Sequence, residues 1–281
     1  MPVVSEVRAF VVDDDGLTLS ADVGGDASAP PVILMHGGGQ TRHSWAGAMR
    51  ELVAAGYYVV NLDARGHGDS DWSARGDYRT AVQAEDLRAV IRQLPRRPAV
   101  VGASMGGMTA LYAVGTAPTP IADALVLVDI VPRVELVGAD RIGHFMRAHP
   151  AGFATIDEAV DAVAAYNPHR PRPRDPSGLM RNLRRRDDGR LHWHWDPKFV
   201  AQTFESAEPP LLVGPLHEAA DRVRIPTLLV RGLRSDLVSD RGIAELRTHL
   251  PQLEVLDISG AGHMVAGDKN DAFNDGVIAF L

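Results

Sequence analysis

Apolar positions along the first half of the chain alternate between two rhythms, a period of two or a short unbroken run, and a spacing of three and four. Glu6–Val12 and Leu17–Val23 read as strands, and the turn Asp13-Asp14-Asp15-Gly16 between them predicts a hairpin. Pro31–Met35 is a short apolar strand that runs into His36-Gly37-Gly38-Gly39. Ser44–Ala55 has helical spacing and stops at Gly56, a glycine suited to a helix C-terminus. The strand Tyr57–Leu62, the helix Thr80–Leu94, the strand Pro98–Ala103, the helix Gly106–Gly115 and the buried strand Ala124–Asp129 continue the series. Such alternation predicts a sheet with helices on both faces.

The rhythm breaks at Pro132. Strand-like runs vanish until Pro226–Arg231, and helical stretches replace them, one opened by Thr155-Ile156-Asp157-Glu158 in the manner of a capping box. Proline clusters at 168, 171, 173 and 176. After this stretch the strand–helix order resumes with Thr227–Arg231, Asp240–Leu250, Leu253–Ile258 and a last helix near Asn270–Leu281. The expected organisation is an α/β core formed by residues 1–131 and 224–281, with residues 132–223 as a helical cap inserted between two strands.

Composition narrows the function classes. The 281 residues are 45% hydrophobic and 23% charged, ordinary for a soluble globular protein and enough to bury a sizeable core. A net charge of −7 argues against nucleic acid as a partner, because phosphate binding needs a basic face. No apolar run approaches a membrane span, and the N-terminal residues lack a basic segment followed by an apolar one, so a cytoplasmic protein with no membrane association is expected. Cysteine is absent, which removes disulfides, thiolate nucleophiles and cysteine–zinc sites. The composition leaves a homo-oligomer open.

The residues that carry chemistry lie at strand ends. Gly102-Ala103-Ser104-Met105-Gly106 places a serine between an apolar strand and a helix, where the glycines let the backbone turn sharply and expose the hydroxyl. A serine hydroxyl attacks only if a base takes its proton. His263, in Gly260-Ala261-Gly262-His263 after the last strand, is the candidate base. The base needs a carboxylate to fix its tautomer and stabilise the imidazolium. Asp236, in the loop after Thr227–Arg231, is the preferred acid, and Asp129 at the end of its strand is the second candidate. The side-chain-free run at Gly37–Gly39 lets backbone amides approach a ligand, so the amides of Gly38 and Met105 are the expected oxyanion donors.

With these motifs the chain resembles the α/β-hydrolase superfamily over essentially its whole length. The resemblance rests on the elbow at Ser104, the H-G-G-G loop at His36–Gly39, the D-x-R-G-x-G-x-S loop at Asp63–Ser70, and the acid and histidine after the last two strands. It is nearest to the capped branch that includes epoxide hydrolases, dehalogenases, carboxylesterases and cofactor-free haloperoxidases. Epoxide hydrolases and dehalogenases carry Asp where this chain has Ser104, so the resemblance implies acyl transfer at a carbonyl. It implies hydrolysis of an ester, thioester or lactone of a small molecule, through an acyl-enzyme and without metal or organic cofactor. Asp63, Arg65 and Asp69 are expected to brace their loop. The same residues would also serve carbon–carbon bond hydrolysis or perhydrolysis, and some relatives are ligand receptors.

Four further features call for an assignment. Trp45, Trp193 and Trp195 are candidate apolar contacts for substrate, with simple packing as the alternative. His192-Trp193-His194-Trp195-Asp196 begins like a metal-binding H-x-H-x-D-H run, but Pro197 ends it and no third ligand is evident. Arg170, Arg172, Arg174, Arg181, Arg184, Arg185, Arg186 and Arg190 crowd one segment, expected to be a solvated face. Only Lys198 and Lys269 are lysines among 29 basic residues, a composition typical of a GC-rich genome.

Overall fold

The computed structural model describes residues 6–13, 15–168, 172, 175–204, 213–265 and 270–281. Its centre is an eight-stranded sheet in the order β1-β2-β4-β3-β5-β6-β9-β10. The strands are β1 Glu6–Val11, β2 Thr18–Gly24, β3 Pro31–Met35, β4 Tyr58–Leu62, β5 Ala99–Ala103, β6 Ala124–Val128, β9 Thr227–Gly232 and β10 Leu253–Ile258. The opening hairpin pairs antiparallel, as does β2 with β4, and every neighbouring pair from β4 to β10 is parallel.

Parallel strands covered on both faces read as unbroken apolar runs, which is why β3 and β4 are buried at every position. Successive side chains alternate between two cores. Ile33 and Met35 join one layer, and Val32 and Leu34 join the other. The first layer is closed by α2 (Thr80–Arg92), α3 (Met105–Gly115) and α8 (Asp240–His249), and the second by α1 (Ala46–Ala54) and α9 (Asn270–Phe280). The first turn of the helix expected from Ser44 is instead a 3-10 turn, Arg42–Trp45.

The insertion differs from the expected all-helical cap in two respects. It contains α4 (Leu136–Arg147), α5 (Ile156–Tyr166) and α6 (Pro197–Phe204), but also the small hairpin β7 (Leu183–Arg185) and β8 (Leu191–Trp193). Three-residue strands carry too little periodicity to stand out in a sequence. The capping box forms in part: the Glu158 amide donates to Thr155 Oγ1 at 3.3 Å, while the Glu158 carboxylate accepts from the amide of Ala154. The second difference is the boundary. Helix α7 (Val213–Ala220) packs under the sheet against α3, with Leu216, Ala220 and Val223 in the first core layer. A Cβ built on Gly115 would lie 2.1 Å from the Ala219 carbonyl oxygen, so the two helices touch backbone to backbone. The expected cap end at 223 is therefore too late, because the insertion's own apolar cluster (Met146, Phe153, Leu191, Trp193, Trp195, Phe199) ends within α6.

Candidate active site

The parallel strands deliver their C-terminal ends to one sheet edge, and the candidate residues gather there. Ser104 joins β5 to α3 with φ +48° and ψ −115°, a left-handed conformation rarely adopted by a residue with a side chain. The turn is held on both sides. The Ser104 amide donates to the Val128 carbonyl at 3.1 Å, and a Cβ on Gly102 would lie 2.4 Å from the Gly106 oxygen.

Asp129, one residue past β6, also has positive φ, +49°, and its amide donates to the Val230 carbonyl at 2.8 Å. This turn points its carboxylate across the end of β9. Oδ1 accepts from the Gly232 amide at 3.1 Å, and Oδ2 accepts from the Ser235 hydroxyl and from His263 Nδ1, the latter at 2.8 Å. Asp129 is fully buried. Three donors thus converge on this one buried carboxylate. Gly232 permits the approach of the histidine loop, since a Cβ there would lie 2.3 Å from the Gly262 oxygen.

The preferred acid, Asp236, is placed elsewhere. Its carboxylate is half-exposed and ion-paired at 3.2 Å with Arg141 of α4, whose guanidinium also lies over the Tyr166 ring. The residue that faces His263 is the second candidate, Asp129. The physical reason is the length of the β9 loop: Ser235, not Asp236, turns inward, and Asp236 meets the insertion.

The glycine loop is held by two buried histidines. His67 Nε2 accepts from the Gly39 amide at 3.1 Å, so its Nδ1 carries the proton toward the Arg65 carbonyl. His36 Nε2 accepts from the Ala64 amide at 3.0 Å, and its Nδ1 donates to the Gly37 carbonyl. Burial, with the neighbouring His36 adding to it, pushes His67 down to about 3. Burial likewise lowers His36, against the pull of Asp63. Both rings are therefore neutral at ordinary pH, as these bonds require. Around them, Asp63 accepts from the Arg42 amide and side chain, Arg42 also meets Asp69 and Asp22, and Arg65 pairs with Asp86. Asp63, Arg65 and Asp69 brace the loop as expected. Arg42 and Asp86, their partners, carry no motif that would single them out. The amides of Gly37 and Gly39 have partners, while among the described residues none accepts from the amides of Gly38 or Met105.

Those two amides, Ser104 and His263 line one cavity of about 640 Å³, roofed by the insertion. Its far wall is mostly apolar, with Ile142, Phe145, Val163, Tyr166, Trp193 and Phe204, and carries Asp140 and Arg147 of α4. Trp193 lines it, Trp195 stacks behind Trp193 with ring centroids 5.0 Å apart, and Trp45 touches it while packing against Phe273. Phe145, Tyr166 and Phe199 escape the sequence reading, although Ile142, Phe145 and Met146 have the spacing of one helix face.

The other features have separate partners. His192 pairs with Asp188, His194 lies near Asp69, and Asp196 accepts from Tyr78. Arg172 pairs with Asp157 and Asp161, Arg190 donates to the carbonyls of Ala151 and Gly152, and Arg186 lies over Trp72. Arg170, Arg174, Pro171 and Pro173 lie outside the described residues.

The sequence profile described as the alpha/beta hydrolase fold matches residues 30–269. The chain belongs to this family. Two of the α/β-hydrolases similar to it are an esterase, Rv0045c, of Mycobacterium tuberculosis and the sn-1-specific diacylglycerol lipase ABHD11 of Mus musculus. The first is 33% identical over 251 residues, 86% of this chain and 79% of the relative. The second is 31% identical over 270 residues, 92% of this chain and 82% of the relative. A solved structure of the M. tuberculosis esterase superposes with TM-score 0.77 at 31% identity, covering 99% and 92% of the two chains. An E-2-(acetamidomethylene)succinate hydrolase shares the fold, with TM-score 0.85 at 24% identity over 99% of each chain. The protein is an α/β-hydrolase of the ester-hydrolysing kind. Among the described residues, no helix is long and apolar enough to cross a membrane.

Proposed function

We propose that this α/β-hydrolase cleaves a carboxylic ester, thioester or lactone of a small, largely apolar molecule through an acyl-enzyme on Ser104. The observation that carries the reading is the buried Asp129 carboxylate 2.8 Å from Nδ1 of a histidine that shares one cavity with a serine at a strained strand–helix turn. With Nδ1–H committed to Asp129, His263 presents a basic Nε2 and removes the serine proton as Ser104 attacks the carbonyl carbon. The negative charge that develops on the carbonyl oxygen is met by the amides of Gly38 and Met105, which have no competing acceptor among the described residues. His263 then protonates the leaving group and activates the water that releases the acid. No step calls on a metal or an organic cofactor. The apolar far wall supports a hydrocarbon-rich substrate, since a polar chain there would lose its water contacts without replacement.

The test is a fluorophosphonate probe together with a panel of acyl esters and lactones. One label per chain at Ser104 is expected. Ser104→Ala should lose labelling and reduce turnover by about a million-fold, the loss typical of a removed nucleophile. An alanine variant with unchanged ester turnover overturns the proposal.

A further inference from the structure

The loop after β9 touches the catalytic residues and the insertion through adjacent residues. Ser235 Oγ reaches Asp129 Oδ2, the same oxygen that holds His263. An ionised carboxylate only accepts, so the hydroxyl must donate, and its own lone pair accepts from the Leu237 amide at 3.2 Å. Ser235 thus competes with His263 for the charge on one oxygen.

The neighbouring residues of this loop are held by α4. The Glu135 amide donates to the Leu237 carbonyl at 3.0 Å, and Asp236 pairs with Arg141. A Cβ built on Gly138 would lie 2.4 Å from the Asp236 carbonyl oxygen. Helix α4 also forms the cavity wall through Ile142, Phe145 and Met146. One short loop therefore connects the wall that meets substrate to the carboxylate that orients the base.

We infer that Ser235 is a positioning residue that sets how much negative charge Asp129 presents to His263, and that α4 holds it there. The inference rests on the reading of Asp129 and His263 given above. Loss of the hydroxyl leaves the carboxylate with more charge toward the imidazolium, so His263 keeps its proton to higher pH. Asp129 is the one titratable group bonded to His263 among the described residues. The other charges at the cavity are Asp140 and Arg147 on α4, with the mutually paired Arg141 and Asp236 beside them.

The experiment is the pH profile of ester turnover, normalised to fluorophosphonate-labelled sites so that unfolded protein does not count. In Ser235→Ala the acid limb moves up by about one pH unit, and the plateau at high pH is retained. Ser235→Thr restores the wild-type limb. Gly138→Ala, which pushes on Asp236, moves the limb the same way, and adds nothing in the Ser235→Ala background. An unmoved or downward limb in Ser235→Ala, with Asp129→Asn inactive, overturns the role of Ser235 alone. An active Asp129→Asn overturns the underlying reading instead. A Gly138→Ala shift that persists in full without Ser235 overturns the coupling to α4.

Discussion

Asp129 Oδ2 lies 2.8 Å from His263 Nδ1, and this bond ties the end of β6 to the loop after β10 across the intervening strand β9. Asp236, by contrast, faces Arg141 at the protein surface. The two aspartates should therefore separate cleanly in mutagenesis. Asp129→Asn is expected to keep the fold and lower turnover by about ten-thousandfold, because the amide stabilises the wrong histidine tautomer. Asp236→Asn removes only an exposed ion pair and should change turnover by no more than about fivefold. Turnover numbers for both variants, with circular dichroism showing that each is folded, decide the matter. The reverse order would restore Asp236 as the acid.

The buried histidines predict acid lability. His67 is pushed from the ordinary 6.5 down to about 3, and His36 is lowered as well. Below about pH 6.5 the unfolded chain takes up protons that the folded chain refuses, so stability falls as pH falls. Above that pH neither state binds them and the contribution is flat. Between pH 6.5 and 3, His67 alone should remove about 1.4 kcal/mol per pH unit, an order-of-magnitude slope. Urea unfolding across this window should give a shallower slope in His67→Gln than in the wild type. Equal slopes would show that the ring is protonated in the folded protein.

Much of this fold and site is legible in the sequence because the relevant signals are local. The turn at Ser104 needs glycines two residues away on either side, and Gly102 and Gly106 supply them at backbone contacts that no side chain would fit. The chain order of serine and histidine after apolar strands is equally local. What escapes depends on long-range geometry. Asp129 and Asp236 both follow strands at the same edge, and only the course of the β9 loop decides which one turns inward. Helix α7 has the same helical spacing as α4 and α5, so its membership of the core under α3 is invisible until the chain closes. Arg42 and Asp86 lie far in sequence from the residues they brace.

The stacked tryptophans offer a contrast between binding and packing. Trp193 lines the cavity, whereas Trp195 sits behind it within the insertion's cluster. Trp193→Ala should enlarge the cavity and move ester preference toward longer or bulkier acyl groups, with the turnover of a short ester little changed. Trp195→Ala should act mainly on stability, at about 3–5 kcal/mol, the usual cost of removing a buried aromatic. Selectivity ratios across an ester series and melting temperatures measure the two effects. Identical selectivity in both variants and the wild type would place Trp193 in the packing as well.

A close backbone approach beside Ser104 gives the last test. A Cβ on Gly106 would lie 2.6 Å from the Met35 carbonyl oxygen and 2.8 Å from that of His36, both fixed backbone atoms at the end of β3. Nothing flexible can yield there, so Gly106→Ala must push α3 away from β3. Such overpacking costs about 1–3 kcal/mol, which for a chain of this size lowers the melting temperature by several degrees. The same displacement separates the Met105 amide from Gly38, the two donors proposed to meet the oxyanion. Losing one such donor lowers turnover by about a hundredfold or more. Gly178→Ala is the matched control, since a Cβ there meets nothing within 4 Å, and both its melting temperature and its turnover should match the wild type. Esterase assays and thermal melts of the two variants report both quantities. If Gly106→Ala melts lower yet turns over ester at the wild-type rate, the spacing between β3 and α3 does not set the oxyanion geometry, and the assignment of Gly38 and Met105 loses its support.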